Sequence, residues 1–321
     1  MKSSLPIFVL LVFAVIHGEI RAQSGPMVVP GAGGQPAPTA PAAADSIAGD
    51  VMLRRVMGAV DAQRSISAKL RYKIDLMGRT MVGTGNYLQQ GRGPERMLRL
   101  DLQLQAGMLA TNVLEICDGT ALWIFEDFGE AKTLGRVDLV RLRRARPKSP
   151  SPPSVPAINT WFALGGLPKL LASLDTSFRF GPVADSRLDD VHVWTLEGQW
   201  EPGRLVQLLP DQKAAIESGG AVDLSKLAPN LPDRMTMHVG CDDLFPYRFE
   251  YWRAEKGSDR SKLLVVMEFY EVQVGVPLDR RHFIYAPGAV QPTDRTQSYL
   301  DRLLLEEVAP GEASRPRLPR R

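Results

Sequence analysis

Ala68-Lys69-Leu70-Arg71-Tyr72-Lys73-Ile74-Asp75-Leu76 places apolar and charged residues in strict alternation. Successive side chains of a β-strand point to opposite faces, so this segment reads as a strand with one face buried and one in water. The segments after it repeat the pattern. Residues 80–89 form a second strand, in which Gly83 and Gly85 suggest a bend or a close backbone approach. Residues 96–104 form a third, with Leu98, Leu100, Leu102 and Leu104 on one face. Residues 113–117 and 121–126 flank Asp118-Gly119, a dipeptide that favours a tight hairpin turn. Such short connections pair neighbouring strands antiparallel.

Upstream, residues 45–63 read as a helix. Ile47, Val51, Met52, Val56 and Val60 recur near helical spacing, and Asp45 or Ser46 can cap the start. Downstream, residues 138–146 read as a helix stopped by Pro147, followed by a Pro/Ser loop over 148–156. Residues 161–174 read as one or two helices with a break at Gly165-Gly166. Strands are expected over 191–200, 234–241, 247–254, 263–274 and 282–285, with a helix near 211–217. The expected class is α+β: one antiparallel sheet with helices on one face.

The ends have a different composition. Lys2 precedes a continuous apolar run over 5–16, the length of a signal-peptide core and short for a membrane span. Residues 1–22 are therefore expected to be a signal peptide cut after Ala22; a buried N-terminal helix is the alternative. Residues 23–44 are rich in Gly, Pro and Ala with almost no charge, a composition suited to a disordered linker. Residues 45–300 would form the folded domain, and 301–321 the end of a helix followed by a basic tail. With a net charge of +3 over 321 residues, bulk charge gives no case for nucleic acid. The only cysteines are Cys117 and Cys241, so no lipid-anchor cysteine sits at the cut. In an oxidising compartment the two can form a disulfide or stay as buried thiols; spacing alone does not decide.

The residues resemble a known family. An amphipathic helix leads to Ser67-Ala68-Lys69-Leu70, then Gly83-Thr84-Gly85-Asn86-Tyr87-Leu88, then Arg92-Gly93-Pro94. The hairpin Cys117-Asp118-Gly119-Thr120-Ala121-Leu122-Trp123-Ile124-Phe125 and the closing Phe283-Ile284-Tyr285-Ala286-Pro287-Gly288 follow. Together they are similar to the LolA/LolB-type periplasmic lipoprotein carriers over most of residues 51–293. The resemblance implies an open curved antiparallel sheet, a half-barrel, with helices covering its concave face, an apolar cavity for acyl chains, a periplasmic location and no catalysis. It also implies transient contact with a membrane, or with membrane-bound loading and acceptor proteins. Arg92 stands where the family has an arginine that latches the lid helices; an ordinary turn arginine is the alternative. Residues 201–233 are longer than the family needs, and the 148–156 loop is unusual for it.

Candidate cavity residues are Leu70, Tyr72, Ile74, Leu98, Leu100, Leu102, Trp123 and Phe125. The same residues would serve a plain packed core, since both roles need apolar side chains facing one way. Arg141, Arg143, Arg144 and Arg146 could dock on anionic lipid or an acidic partner, or be the solvated end of a helix. No metal site or cofactor is expected. His192, His238 and His282 fall in expected strands without ligand spacing, and no nucleophile elbow or phosphate loop is present. Asp189-Asp190 and Asp242-Asp243 read as turns rather than acid–base pairs. The expected function is a carrier of lipoprotein or lipid acyl chains, with a non-catalytic sensor or scaffold that binds a protein partner as the alternative.

Overall fold

A computed structural model describes residues 48–76, 79–107, 109–129, 131–147, 165–255, 260–286, 288–303 and 305–306. Helix α1 (Gly49–Ala62) leads into the long strands β1 (Ser65–Leu76), β2 (Arg79–Gln90), β3 (Met97–Ala106), β4 (Leu109–Cys117), β5 (Ala121–Asp127) and β6 (Lys132–Asp138). The short helix α2 (Leu139–Arg144) and the two-residue β7 (Arg146–Pro147) follow. Next come α3 (Leu167–Ser177), β8 (Phe178–Phe180), β9 (Ala184–Leu188) and β10 (Val191–Trp200). After α4 (Pro202–Leu208) and α5 (Lys213–Glu217), the chain returns through β11 (Arg234–Gly240), β12 (Pro246–Ala254) and β13 (Ser261–Val274). It ends with β14 (Thr293–Asp294), α6 (Thr296–Arg302) and β15 (Leu305–Glu306).

Thirteen strands make one sheet in the order β14-β6-β5-β4-β3-β2-β1-β13-β12-β11-β10-β8, with β9 also on β10. The long pairs are antiparallel, and β14 joins β6 in parallel. The sheet does not close on itself. It is an α+β half-barrel: the alternating pattern implies the antiparallel sheet, and the family resemblance its open, curved form. The centre of the sheet is the pairing of β1 with β13, so the two halves of the chain meet edge to edge.

One face is apolar. Leu70 faces Gly85 on β2 and Phe269 on β13, and Gly85 in turn faces Leu102. A Cβ at Gly85 would lie 2.1 Å from the Asp101 carbonyl and 2.8 Å from Leu102 Cδ2, so the leucine folds over the glycine. Lys69, Arg71 and Lys73 point the other way and are exposed. We name the two surfaces the helix face and the open face.

Helices cover the helix face along its width. The α1 residues Met52, Leu53, Val56 and Val60 and the α3 residues Leu167, Leu170, Leu171 and Leu174 are buried in one core with the sheet. The long segment 201–233 adds Leu205, Leu209, Ile216, Leu227 and Leu231 beside β10 and β11, while Leu142, Tyr299 and Leu300 complete the core by β5 and β6. Gly49 lets α1 touch β8 directly: its N–H donates to the Gly181 carbonyl at 2.8 Å. Asp50 accepts from the Phe180 N–H, also at 2.8 Å.

Three expectations need correction. Residues 282–285 are not a strand, so His282 is not in one. Arg280–Phe283 is a 3-10 turn, started by Asp279, whose side chain accepts from the Arg281 N–H. It lies across the open face of β3, with the Arg99 guanidinium donating to the His282 carbonyl at 3.2 Å. The helix expected over 138–146 spans only 139–144, because Asp138 ends β6 and caps α2, accepting from the Arg141 N–H. Strands β6, β8 and β9 were not anticipated. Residues 1–47, 148–164 and 307–321 lie outside the described residues, and with them the expected signal peptide, the whole linker, the Pro/Ser loop and the basic tail.

Candidate functional site

The six candidates Leu70, Tyr72, Ile74, Leu98, Leu100 and Leu102 share the helix face, as their alternation predicts. Leu70, Leu98, Leu100 and Leu102 are 0 to 3% exposed, buried in one core with residues of α1 and α3. Tyr72 and Ile74, further along β1, are only partly buried. Trp123 and Phe125 are on the opposite face. Cys117 pairs with Leu122 and Ile116 with Trp123, which turns Leu122 and Ile124 to the helix face. Trp123 instead stacks on Tyr285 of the strap over the open face, with ring centroids 5.4 Å apart. The Arg136 guanidinium lies 5.6 Å above its ring.

Polar contacts fasten the helices over the apolar face at one corner. Arg96, buried at the start of β3, donates to the Gly165 carbonyl before α3 at 3.0 Å and to the Asp61 carboxylate in the last turn of α1 at 2.6 Å. Its neighbour Arg92 donates to the Ala62 carbonyl at the end of α1. Arg92, to which the resemblance assigns the latch, thus touches α1 alone, and Arg96 is the buried one that reaches both helices. Its place two residues after Gly93-Pro94 was the only signal in the sequence. Tyr87 supplies the third attachment: its hydroxyl accepts from the Leu167 N–H at 3.1 Å and donates to Gln89 Oε1 at 2.7 Å. Gly166 is needed there, since its φ is +69° and a Cβ would lie 2.6 Å from the Tyr87 hydroxyl.

Sequence reasoning missed Glu115. It sits on the helix face between Leu100 on β3 and Ile124 on β5, 5% exposed, and makes no hydrogen bond among the described residues. Burial raises its carboxyl from 4.5 to about 8; the nearby Glu126 adds to the rise and Arg295 opposes it. Glu126 itself is held by Arg295 at 2.8 Å and by the Thr133 hydroxyl at 2.7 Å.

The basic cluster is only partly free. Arg143 donates to the Gly119 carbonyl at 2.6 Å and so braces the β4–β5 turn. Arg141 is 3.5 Å from Asp294. Arg144 is exposed, and the Arg146 side chain is outside the described set. Cys117 and Cys241 are both free thiols; burial pushes Cys117 up to about 11. Among the described residues, no three His, Cys, Asp or Glu side chains gather as a metal site, and no helix is long and apolar enough to cross a membrane.

No family model matches the chain, and no curated protein matches it. Solved structures do. A LolA superfamily protein from Nitrosomonas europaea aligns at 11% identity over 75% of this chain and 99% of its own, with a TM-score of 0.25. LprF from Mycobacterium bovis aligns at 9% identity over 72% of this chain and 94% of its own, with a TM-score of 0.37. MucB in the Pseudomonas aeruginosa MucA/MucB complex aligns at 13% identity over 74% of this chain, with a TM-score of 0.38, and the chain spans 61% of that protein. At these values the overlap is partial, and the open-sheet architecture stands on the strand order itself.

Proposed function

We propose that the chain is an exported, non-enzymatic carrier whose helix face shields acyl chains. The observation that carries this reading is the way α1 and α3 are attached. Their apolar faces meet an apolar sheet, while the polar attachments lie at helix ends: Arg92, Arg96 and Tyr87 hold the end of α1 and the start of α3, and Gly49 and Asp50 hold the start of α1 to β8. Helices held so can lift from the sheet and let hydrocarbon replace leucine side chains on Leu70, Leu98, Leu100 and Leu102. Each CH₂ withdrawn from water contributes about 0.8 kcal/mol, enough for a diacyl cargo to offset the opened helix contacts. Cargo would be the acyl chains of a lipid or lipoprotein, with loading and release at a membrane or a membrane-bound partner.

A second reading, a non-catalytic module that binds a protein, is favoured by one observation: among the described residues the helix face is filled by protein. Titration with a fluorescent diacyl lipid separates the two. The carrier reading expects saturable uptake by the parent protein and faster uptake by Arg96→Leu, in which the latch is cut. A folded parent and a folded variant that both leave the probe in water would favour the binding module.

A further inference from the structure

We propose that the open face carries a second binding site, a trough across six strands that takes an acidic glycan. It faces away from the proposed acyl site, and neither reading depends on the other. The trough has a volume of about 690 Å³, within the range of ligand sites. Strand register lines up its central row, one side chain per strand: Arg248, Glu268, Arg71, Thr84, Gln103 and Asn112.

Three features of that row suit a sugar chain. Neighbouring strands are ~4.8 Å apart, so the row offers one polar group at each step comparable to a linked pyranose ring. An extended peptide advances ~3.3 Å per residue and would not keep that step. Second, Thr84, Gln103 and Asn112 are exposed, and their hydroxyl and amide groups both donate and accept, as sugar hydroxyls do. Third, Val82 is 47% exposed in the trough and gives an apolar surface for ring C–H groups.

Charge selects an acidic chain. The cations Arg71, Lys73 and Arg248 line the trough with a single carboxylate, Glu268. That carboxylate is shared by Arg71 at 3.0 Å and Arg248 at 3.4 Å. Arg248 also meets Glu250 at 2.6 Å. Lys73 has no ion pair among the described residues. Carboxylates spaced along a glycan would meet Lys73 and the exposed side of Arg71, where charge-assisted hydrogen bonds are the strong ones.

The test uses the mature chain and three probes: a size-defined galacturonate oligomer, a neutral malto-oligosaccharide of equal length, and a polyglutamate peptide. Calorimetry should show saturable binding of the galacturonate oligomer that weakens with salt, and weaker binding of the neutral chain. The double variant Arg71→Gln, Lys73→Gln should lose about ten-fold or more in affinity with an unchanged melting temperature. Lys213→Gln with Lys226→Gln removes the same charge elsewhere and should bind as the parent does. The proposal fails if the galacturonate oligomer does not bind, or if both double variants lose affinity equally. It also fails if polyglutamate binds as tightly, which would make the trough a surface for acidic protein.

Discussion

Glu115 is where a single residue sets a property of the whole protein. Below pH 4.5 its carboxyl is protonated in the folded and the unfolded chain alike. Between pH 4.5 and about 8 it is ionised only when unfolded, so the unfolded chain binds fewer protons and stability falls as pH rises. Above about 8 the penalty is constant. Denaturant titrations of Glu115→Gln should therefore show a flatter pH profile than the parent across that window, the difference growing toward its alkaline end to the order of a few kcal/mol. Parallel profiles would mean that Glu115 ionises normally. Leu100, opposite Glu115 and 3% exposed, gives a second measure at this scale. Leu100→Ala should cost ~2–5 kcal/mol, because helices fill the space around it and the lost side chain leaves a cavity. A much smaller loss would show that protein does not fill that part of the face.

Single residues also show where the sequence could not be read. Leu98 to Leu104 alternate cleanly with polar residues, so their common face was legible. In Leu122-Trp123-Ile124-Phe125 both parities are apolar, and alternation cannot tell which side faces the helices. Pairing of Cys117 with Leu122 decides it, and pairing register is a property of two strands together. The strap over the open face makes both sides of β5 apolar: Phe283 is fully buried there and Tyr285 covers Trp123. Arg92 was legible as an arginine beside Gly93-Pro94, but the contacts of Arg96 with both helices depend on where α1 ends and α3 begins.

At the scale of elements, β6 was missed despite its seven residues, while β1, β3 and α1 followed from periodicity because each buries one side only. The short elements did not. Strand β8 is three residues long and β14 two, too short for any period to register. The segment 201–233, longer than the resemblance requires, packs its leucines onto the end of the helix face. The helix attachments make a prediction here. Gly166→Ala forces a positive-φ residue and a Cβ against Tyr87, and should lower stability by roughly 1–3 kcal/mol. Hydrogen exchange should locate the change: amides in the first turn of α3 and the last turn of α1 should lose protection while β1 and β13 keep theirs. Uniform loss across the sheet would mean that the helices do not open as a unit. The basic element α2 is tested by replacing Arg143, Arg144 and Arg146 with Gln. Reduced binding to anionic vesicles at unchanged stability would support docking there. Because Arg143 braces the Gly119 turn, a drop in stability with unchanged vesicle binding would assign the cluster a structural role.

For the whole molecule, an export signal expected over residues 1–22 precedes a sheet with a binding role proposed for each face. N-terminal sequencing of the exported protein should begin near Gln23; a chain that keeps Met1 and stays with the cytoplasm would remove the envelope setting. The helix face is proposed for hydrocarbon and the open face for a polar chain, and the β-sheet between them keeps the two chemistries apart. The central claim is the first of these. Protein purified under native conditions from its own envelope, extracted with organic solvent and analysed by mass spectrometry, tests it most directly. Acyl-bearing lipid or lipopeptide in near-stoichiometric amount is expected, and at least as much from Arg96→Leu, in which the helices lift more readily. A folded protein whose extract holds no acyl chains, and which takes up none from diacyl vesicles, would contradict it.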